Sequence, residues 1–177
     1  MPIFSSSGST TLFNHKWKSL ITKGNAALKK RSNSDARDLY SQAIIESDRM
    51  LKLFRVTVCE RAEARDNCLE MVSIMVVSHH NMADLWGRYG VIASQTYYLE
   101  MVHQKLIDTV RDARFCQTLR SVALSELSRT YVALLSHYKT NALVNEVEVL
   151  VTEYSRVTEM FGLLKESSAV SAEMLIH

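Results

Sequence analysis

Three histidines and three cysteines carry the richest chemistry in this 177-residue sequence. His79 and His80 are adjacent, Asp84 follows one helical turn later, and His103 lies beyond Gly87 and Gly90. A hairpin turning near Gly90 brings His79 or His80 level with His103, where two imidazoles with a carboxylate nearby would begin a metal site. No HExxH accompanies them, so histidines packed in the core or on the surface are the expectation, and no cofactor is predicted. Whether His79, His80 and His103 bind metal stays open at this level. Cys59, Cys68 and Cys116 are widely spaced, with no CxxC, no glycine-rich elbow and no neighbouring base. A nucleophile needs an activating partner held in place, so these read as reduced thiols packed like small hydrophobes. GxGxxG, the P-loop and GxSxG are absent, and the chain is expected not to be an enzyme.

The elements that must hold these residues are helical. One proline, Pro2, and five glycines leave the chain from residue 3 onward free of ring-imposed breaks. At 47% hydrophobic residues, a single all-α domain with a substantial core is expected over residues 10–165. Residues 1–9 are Ser/Gly-rich and predict a disordered lead-in, and 166–177 form a tail. No leader pattern opens the chain, and the nearly uncharged run Met71–Met82 is too short to span a bilayer. A cytoplasmic protein with no membrane partner follows as an expectation.

Periodicity predicts six helices. The first, capped by Thr10 or Thr11, runs to about Lys30 with Phe13, Trp17, Leu20, Gly24 and Ala27 on one face. Ser32-Asn33-Ser34-Asp35 breaks it and caps a second, with Ala36, Leu39, Tyr40, Ala43, Ile44, Met50 and Leu51 inward. The third turns Leu69, Val72, Val76, Ala83 and Trp86 inward, and the fourth Ala93, Tyr97, Leu99, Val102, Leu106 and Val110. A fifth carries Leu124, Leu127, Tyr131, Leu134 and Tyr138. After Lys139-Thr140-Asn141 the sixth has the cleanest stripe: Leu143, Val147, Leu150, Tyr154, Val157, Phe161 and Leu164.

Charge is uneven. Residues 1–31 hold Lys16, Lys18, Lys23, Lys29, Lys30 and Arg31 with no acid, whereas the remainder has 15 basic and 19 acidic residues. Such a first helix steers an acidic partner or touches nucleic acid, but without interleaved exposed aromatics a solvated helical face explains it more simply.

The run from Leu20 to Ala43 resembles a tetratricopeptide repeat: Gly24 at the tight helix crossing, then Ala36, Tyr40 and Ala43 at the small, aromatic and small positions. Residues 17–50 fit best. A second unit over 76–109 aligns His79, Met82, Ala83 and Trp86, with Gln95 in place of a small residue. A third, over 121–154, rests on Leu124, Leu127, Ser128 and Tyr131, although its turn residues look helical. The unit starts are 59 and 45 residues apart, against a regular period of 34. A generic six-helix bundle with small residues at its crossings is the rival architecture.

The resemblance implies a stack of about six antiparallel helices, in a right-handed superhelix, that binds a peptide or helix in a groove lined by the first helix of each pair. Projected onto this sequence, the groove residues are Ile21, Asn25, Leu28, Lys29, His80, Asn81, Asp84 and Arg88. One version of the fold grips a terminal carboxylate with two asparagines and several cations. Asn25 and Asn81 stand at the asparagine positions, but Ile21, Val122 and Glu126 occupy basic ones, which argues against that ligand. The expected function is therefore a non-catalytic adaptor for another protein or peptide, with oligomeric state undetermined. A secretion-type chaperone and a nucleic-acid-associated regulator using the basic first helix are the alternatives.

Overall fold

Six helices follow one another: α1 Gly8–Lys29, α2 Asn33–Thr57, α3 Ala64–Arg88, α4 Ile92–Arg111, α5 Gln117–Thr140 and α6 Val144–Met174. The computed structural model describes residues 8–57 and 64–174, with side chains over 15–53 and 66–162, and no strand occurs among them. Residues 1–7, Cys59 and the side chains of Thr10, Thr11, Phe13 and Leu164 lie outside that description. Gly8 and Ser9 belong to α1, and the Ser/Ala-rich stretch after Glu166 continues α6 rather than leaving it as a separate tail.

Helices adjacent in sequence pack as pairs, and α1 also meets α3, α3 meets α5, and α4 meets α6. The chain is thus a stack of three antiparallel hairpins in which α1, α3 and α5 lie side by side. Among the described residues α2 and α4 do not pack against each other. A cleft of about 260 Å³ separates them, lined by Asp48, Leu51, Lys52, Lys105 and Phe115, and the Lys105–Asp48 ion pair bridges it.

Helix α3 is central, covered by α1, α2, α4 and α5. A helix covered from several sides buries more than one stripe, so single-stripe reasoning mislays residues there. Leu69, expected inside, is exposed, while Cys68, Met71, Ile74, Met75 and Leu85 join Val72 and Ala83 in the core. On α4 the expected core residues Tyr97 and Ala93 are exposed, and His103 and Ile107 fill the interior beside Val102, Leu106 and Val110. The α6 stripe holds as expected, with Leu150, Val157 and Phe161 buried.

All three hairpins turn in the same way. The second residue after the helix adopts a left-handed backbone at Arg31 (φ 61°), Gly90 (φ 70°) and Ala142 (φ 56°). Each donates its N–H three residues back, to Leu28, Gly87 and Lys139, and the next residue donates five back, to Ala27, Trp86 and Tyr138. This is the Schellman closure, in which two helix-end carbonyls find donors. Only one of the three positions is the glycine that such a backbone favours.

Within the first hairpin the closest approach is at Gly24. A β-carbon there would lie 2.5 Å from Tyr40 Cε1 and 2.8 Å from Cδ1, so the tyrosine ring rests directly on the α1 backbone. Ala36 and Ala43, on either side of Tyr40, are fully buried. The second hairpin solves its crossing differently: Gly87 provides the space that the Gln95 amide occupies, with a β-carbon there only 2.7 Å from Nε2.

Two substitutions test these contacts. Gly24→Ala gains helix propensity but forces a buried ring to move, for a net loss of about 1 kcal/mol in urea denaturation. In a Tyr40→Leu background the same change becomes stabilising, and a Gly24→Ala protein as stable as the parent would refute the close packing. Arg31→Gly and Ala142→Gly relieve left-handed strain and raise stability by about 0.5–1 kcal/mol each.

Candidate functional site

Helices α1, α3 and α5 lie side by side, and the best-defined polar cluster joining α1, α2 and α3 is built around Tyr40. The ring is buried, and its hydroxyl donates to Asn25 Oδ1 at 2.7 Å. Burial raises the Tyr40 pKa, while the nearby Arg88 guanidinium lowers it and Asp84 raises it. Residues of α1, α2 and α3 therefore converge on one hydroxyl. With Oδ1 occupied by the tyrosine, the Asn25 amide directs its N–H2 elsewhere.

The other projected groove residues divide in two. Ile21 and Leu28 are partly buried against Ala36, Tyr40, Met82 and Leu85, so they serve the core as much as the face. Lys29, Asp84 and Arg88 are exposed, and His80 and Asn81 half-buried. Asp84 and Glu126 both favour a charged His80, yet desolvation prevails and depresses its pKa. His80 thereby links the α3 side of the face to α5.

On α5 the repeat register shifts. The helix runs through Thr140 and its turn falls at Ala142, so the residue equivalent to Gly24 and Ala83 is Leu135, not Ser128. Val122 and Glu126, taken as the third unit's basic positions, are buried. Counted from the turn, those positions fall to Arg129 and Ala133. The exposed Arg129 guanidinium is held by Glu126 through Nη1 at 3.1 Å.

His79 and His103 are core residues. His79 Nδ1 bonds the Met75 carbonyl at 2.8 Å, and His103 Nδ1 meets Thr130 Oγ1 at 2.9 Å. Because Thr130 donates its own proton to the Leu127 carbonyl, His103 donates from Nδ1. The buried Nε2 atoms of His79, His80 and His103 meet no hydrogen-bond partner among the described residues. Among the described residues no group of three His, Cys, Asp or Glu side chains could hold a metal ion. Contrary to the expectation that no Glu-x-x-His motif accompanies the histidines, Glu100 and His103 stand at that spacing, but they part company: Glu100 accepts from the Tyr138 hydroxyl at 2.6 Å. Cys68 is buried and Cys116 half-buried, both as free thiols.

Sequence reasoning also missed a buried acid. Glu46 is almost fully buried between Arg49 on its own helix and Lys16 on α1, whose Nζ lies 2.9 Å away. The Arg49 bond leads the forces that hold its carboxyl below the usual range. Nearby, the Trp17 indole donates to Ser78 Oγ at 2.7 Å, and Ser78 passes its proton to the Ile74 carbonyl. A Glu between two apolar positions of a helix gives no such signal unless its cations are known.

Desolvation lowers both His79 and His103 to a pKa of about 4, against 6.5 when exposed. The unfolded chain therefore binds protons first as pH falls, so stability is full above pH 6.5 and is lost toward pH 4. Each histidine should remove about 2 kcal/mol between pH 7.5 and pH 5. Urea denaturation at the two pH values should show His79→Leu losing about that much less than the parent. An unaltered pH response would mean that the imidazole is not held neutral.

No curated protein and no solved structure matches the chain. A family model described as "Protein of unknown function (DUF2753)" matches residues 15–168, and the chain belongs to that family.

Proposed function

We propose that this chain is a non-catalytic, tetratricopeptide-like protein-interaction module, acting in the cytoplasm, that receives a peptide or helix from another protein on the face of α1, α3 and α5. The observation that carries this reading is the identical closure of the three hairpins at Arg31, Gly90 and Ala142. Repetition of one turn, with alternate helices adjacent, is how hairpin stacks extend a continuous surface. The close Gly24–Tyr40 crossing in the first unit supports the same reading.

Partner recognition on this face would combine apolar contact at Ile21 and Leu28 with the outward Asn25 donor, Asn81, His80 and the Asp84–Arg88 pair of charges. Helix-in-groove and extended-peptide modes both use such a mixture. The basic first helix gives less support to a nucleic-acid role, because Lys16 and Lys18 are committed to Glu46 and Glu70. An affinity carried by phosphates would fall steeply with salt, whereas a peptide on a mixed face responds weakly.

Asn25 allows a test that separates fold from binding. Asn25→Asp keeps an acceptor for the tyrosine hydroxyl and removes the outward donor. Asn25→Ala removes both and costs about 1–2 kcal/mol of stability. Affinity capture from native lysate with Asn25→Asp/Asn81→Ala protein should lose the partners that the parent retains. Equal recovery of the same partners by the double variant would refute the assignment of this face.

A further inference from the structure

The cations of the first helix do not all share one fate. Lys16 and Lys18 lie in the first half of the described α1 side chains and pair with Glu46 and Glu70. Among the described residues no ion pair engages Lys29, Lys30, Arg31 or Arg88, all of which are exposed. Since α1 and α3 run in the same direction side by side, their C-terminal turns form one end of the stack. The common reach of Asn25 and Arg88 to Tyr40 agrees with that placement.

Two large side chains stand beside these charges. Tyr89 is 46% exposed and lies on Trp86 with ring centroids 5.8 Å apart; Ile92 is 46% exposed at the start of α4. Arg31 occupies a left-handed position where glycine is the cheaper residue. A cation is thus held at this turn against local backbone preference. Of the nearby acids, Asp38 pairs with Arg37, whereas Asp35 accepts only the neutral Ser32 hydroxyl and remains, with Asp84, an opposing charge beside the four cations.

We infer that this turn end, formed by Lys29, Lys30, Arg31, Arg88, Tyr89 and Ile92, docks an acidic segment of a partner protein whose carboxylates flank an aliphatic or aromatic anchor. The inference rests on the interaction-module reading and adds the chemistry of the partner. Four cations around two exposed apolar side chains complement that pattern of charge and anchor. A second copy of this chain would bring cations against cations. An anionic bilayer is disfavoured by Asp84, which a peptide can avoid or satisfy. A nucleic acid needs several exposed stacking faces, and of the six residues at this turn end Tyr89 alone carries a ring, tilted 49° against Trp86.

The test selects random peptides displayed on phage against the purified full chain. Selected sequences should carry two or more acids around Leu, Ile, Phe or Tyr. Made as capped peptides without a terminal carboxylate, they should lose about tenfold or more in affinity when their acids become amides. Arg31→Gly/Arg88→Gln should weaken the same peptides by a similar factor. The first change strengthens the fold, so the loss cannot be put down to unfolding. Ile92→Ser should also weaken them.

Selection of neutral or basic peptides, or of none, overturns the inference, as does undiminished binding to the Arg31→Gly/Arg88→Gln protein. Phosphatidylserine vesicles or an oligonucleotide bound through these arginines, with the acidic peptides unbound, overturn it in favour of that ligand. If peptides depend on Asn25 and Asn81 but not on the turn arginines, the face stands and this inference fails. If neither set matters, both fail.

Discussion

The contact on which the remaining architecture leans is the Tyr40 ring lying on the Gly24 backbone. It demands three things together. There must be no β-carbon at position 24, the flanking positions on α2 must be small enough to admit α1, and a buried hydroxyl must find an acceptor. Gly24, Ala36 with Ala43, and Asn25 meet these demands. Removing an acceptor from a buried hydroxyl leaves a desolvated polar group, which is why Asn25 cannot be regarded as a free surface residue. The same hydroxyl senses Arg88 and Asp84, so the first hairpin is registered against α3 through one side chain.

That contact was legible in the sequence because it is local. Gly24 and Tyr40 are sixteen positions apart on one hairpin, and the small-aromatic-small spacing survives as a recognisable pattern. The six helices and the α6 stripe were legible for a similar reason: each reflects one repeating period. What failed was non-local. Leu69 and Tyr97 were placed inside because a single stripe was assumed, whereas α3 meets four neighbours and α4 meets three. The third unit was misplaced by seven residues because its turn is set by Ala142, which carries no glycine to mark a left-handed position. A two-turn slip preserves helical phase, so the periodicity of α5 gave no warning of the error.

The interior is more polar than a simple hairpin stack requires. His79 and His103 sit in the core with one ring nitrogen bonded and the other bare, and Glu46 is enclosed by two cations. A buried polar network fixes helix rotation more sharply than hydrocarbon packing, because a small rotation breaks a directional bond. The Trp17–Ser78 bond acts likewise between α1 and α3. Asp48 and Lys105 have a related role across the open cleft between α2 and α4, where no direct packing sets the spacing. The stack is thus held by apolar clusters that cross from one hairpin to the next, and these polar contacts add directional register between the helices.

Packed interfaces have discrete arrangements, whereas the α2–α4 spacing, bridged by the Lys105–Asp48 ion pair across a cleft, can adjust without reopening a core. The α1–α2 hairpin is internally tight at Gly24 and joins α3 through apolar clusters that unite Ala36, Tyr40 and Met50 with Met71, Ile74, Met82 and Leu85, to which the Trp17–Ser78 and Lys18–Glu70 contacts add direction. Its outer cations and the Asn25 amide therefore ride on a unit packed against the centre of the stack. A partner seated across α1 and α3 would tighten that junction, so binding and the stability of the first hairpin are coupled through the same polar side chains. Tyr40, although buried, would thus act as the support of the proposed recognition face.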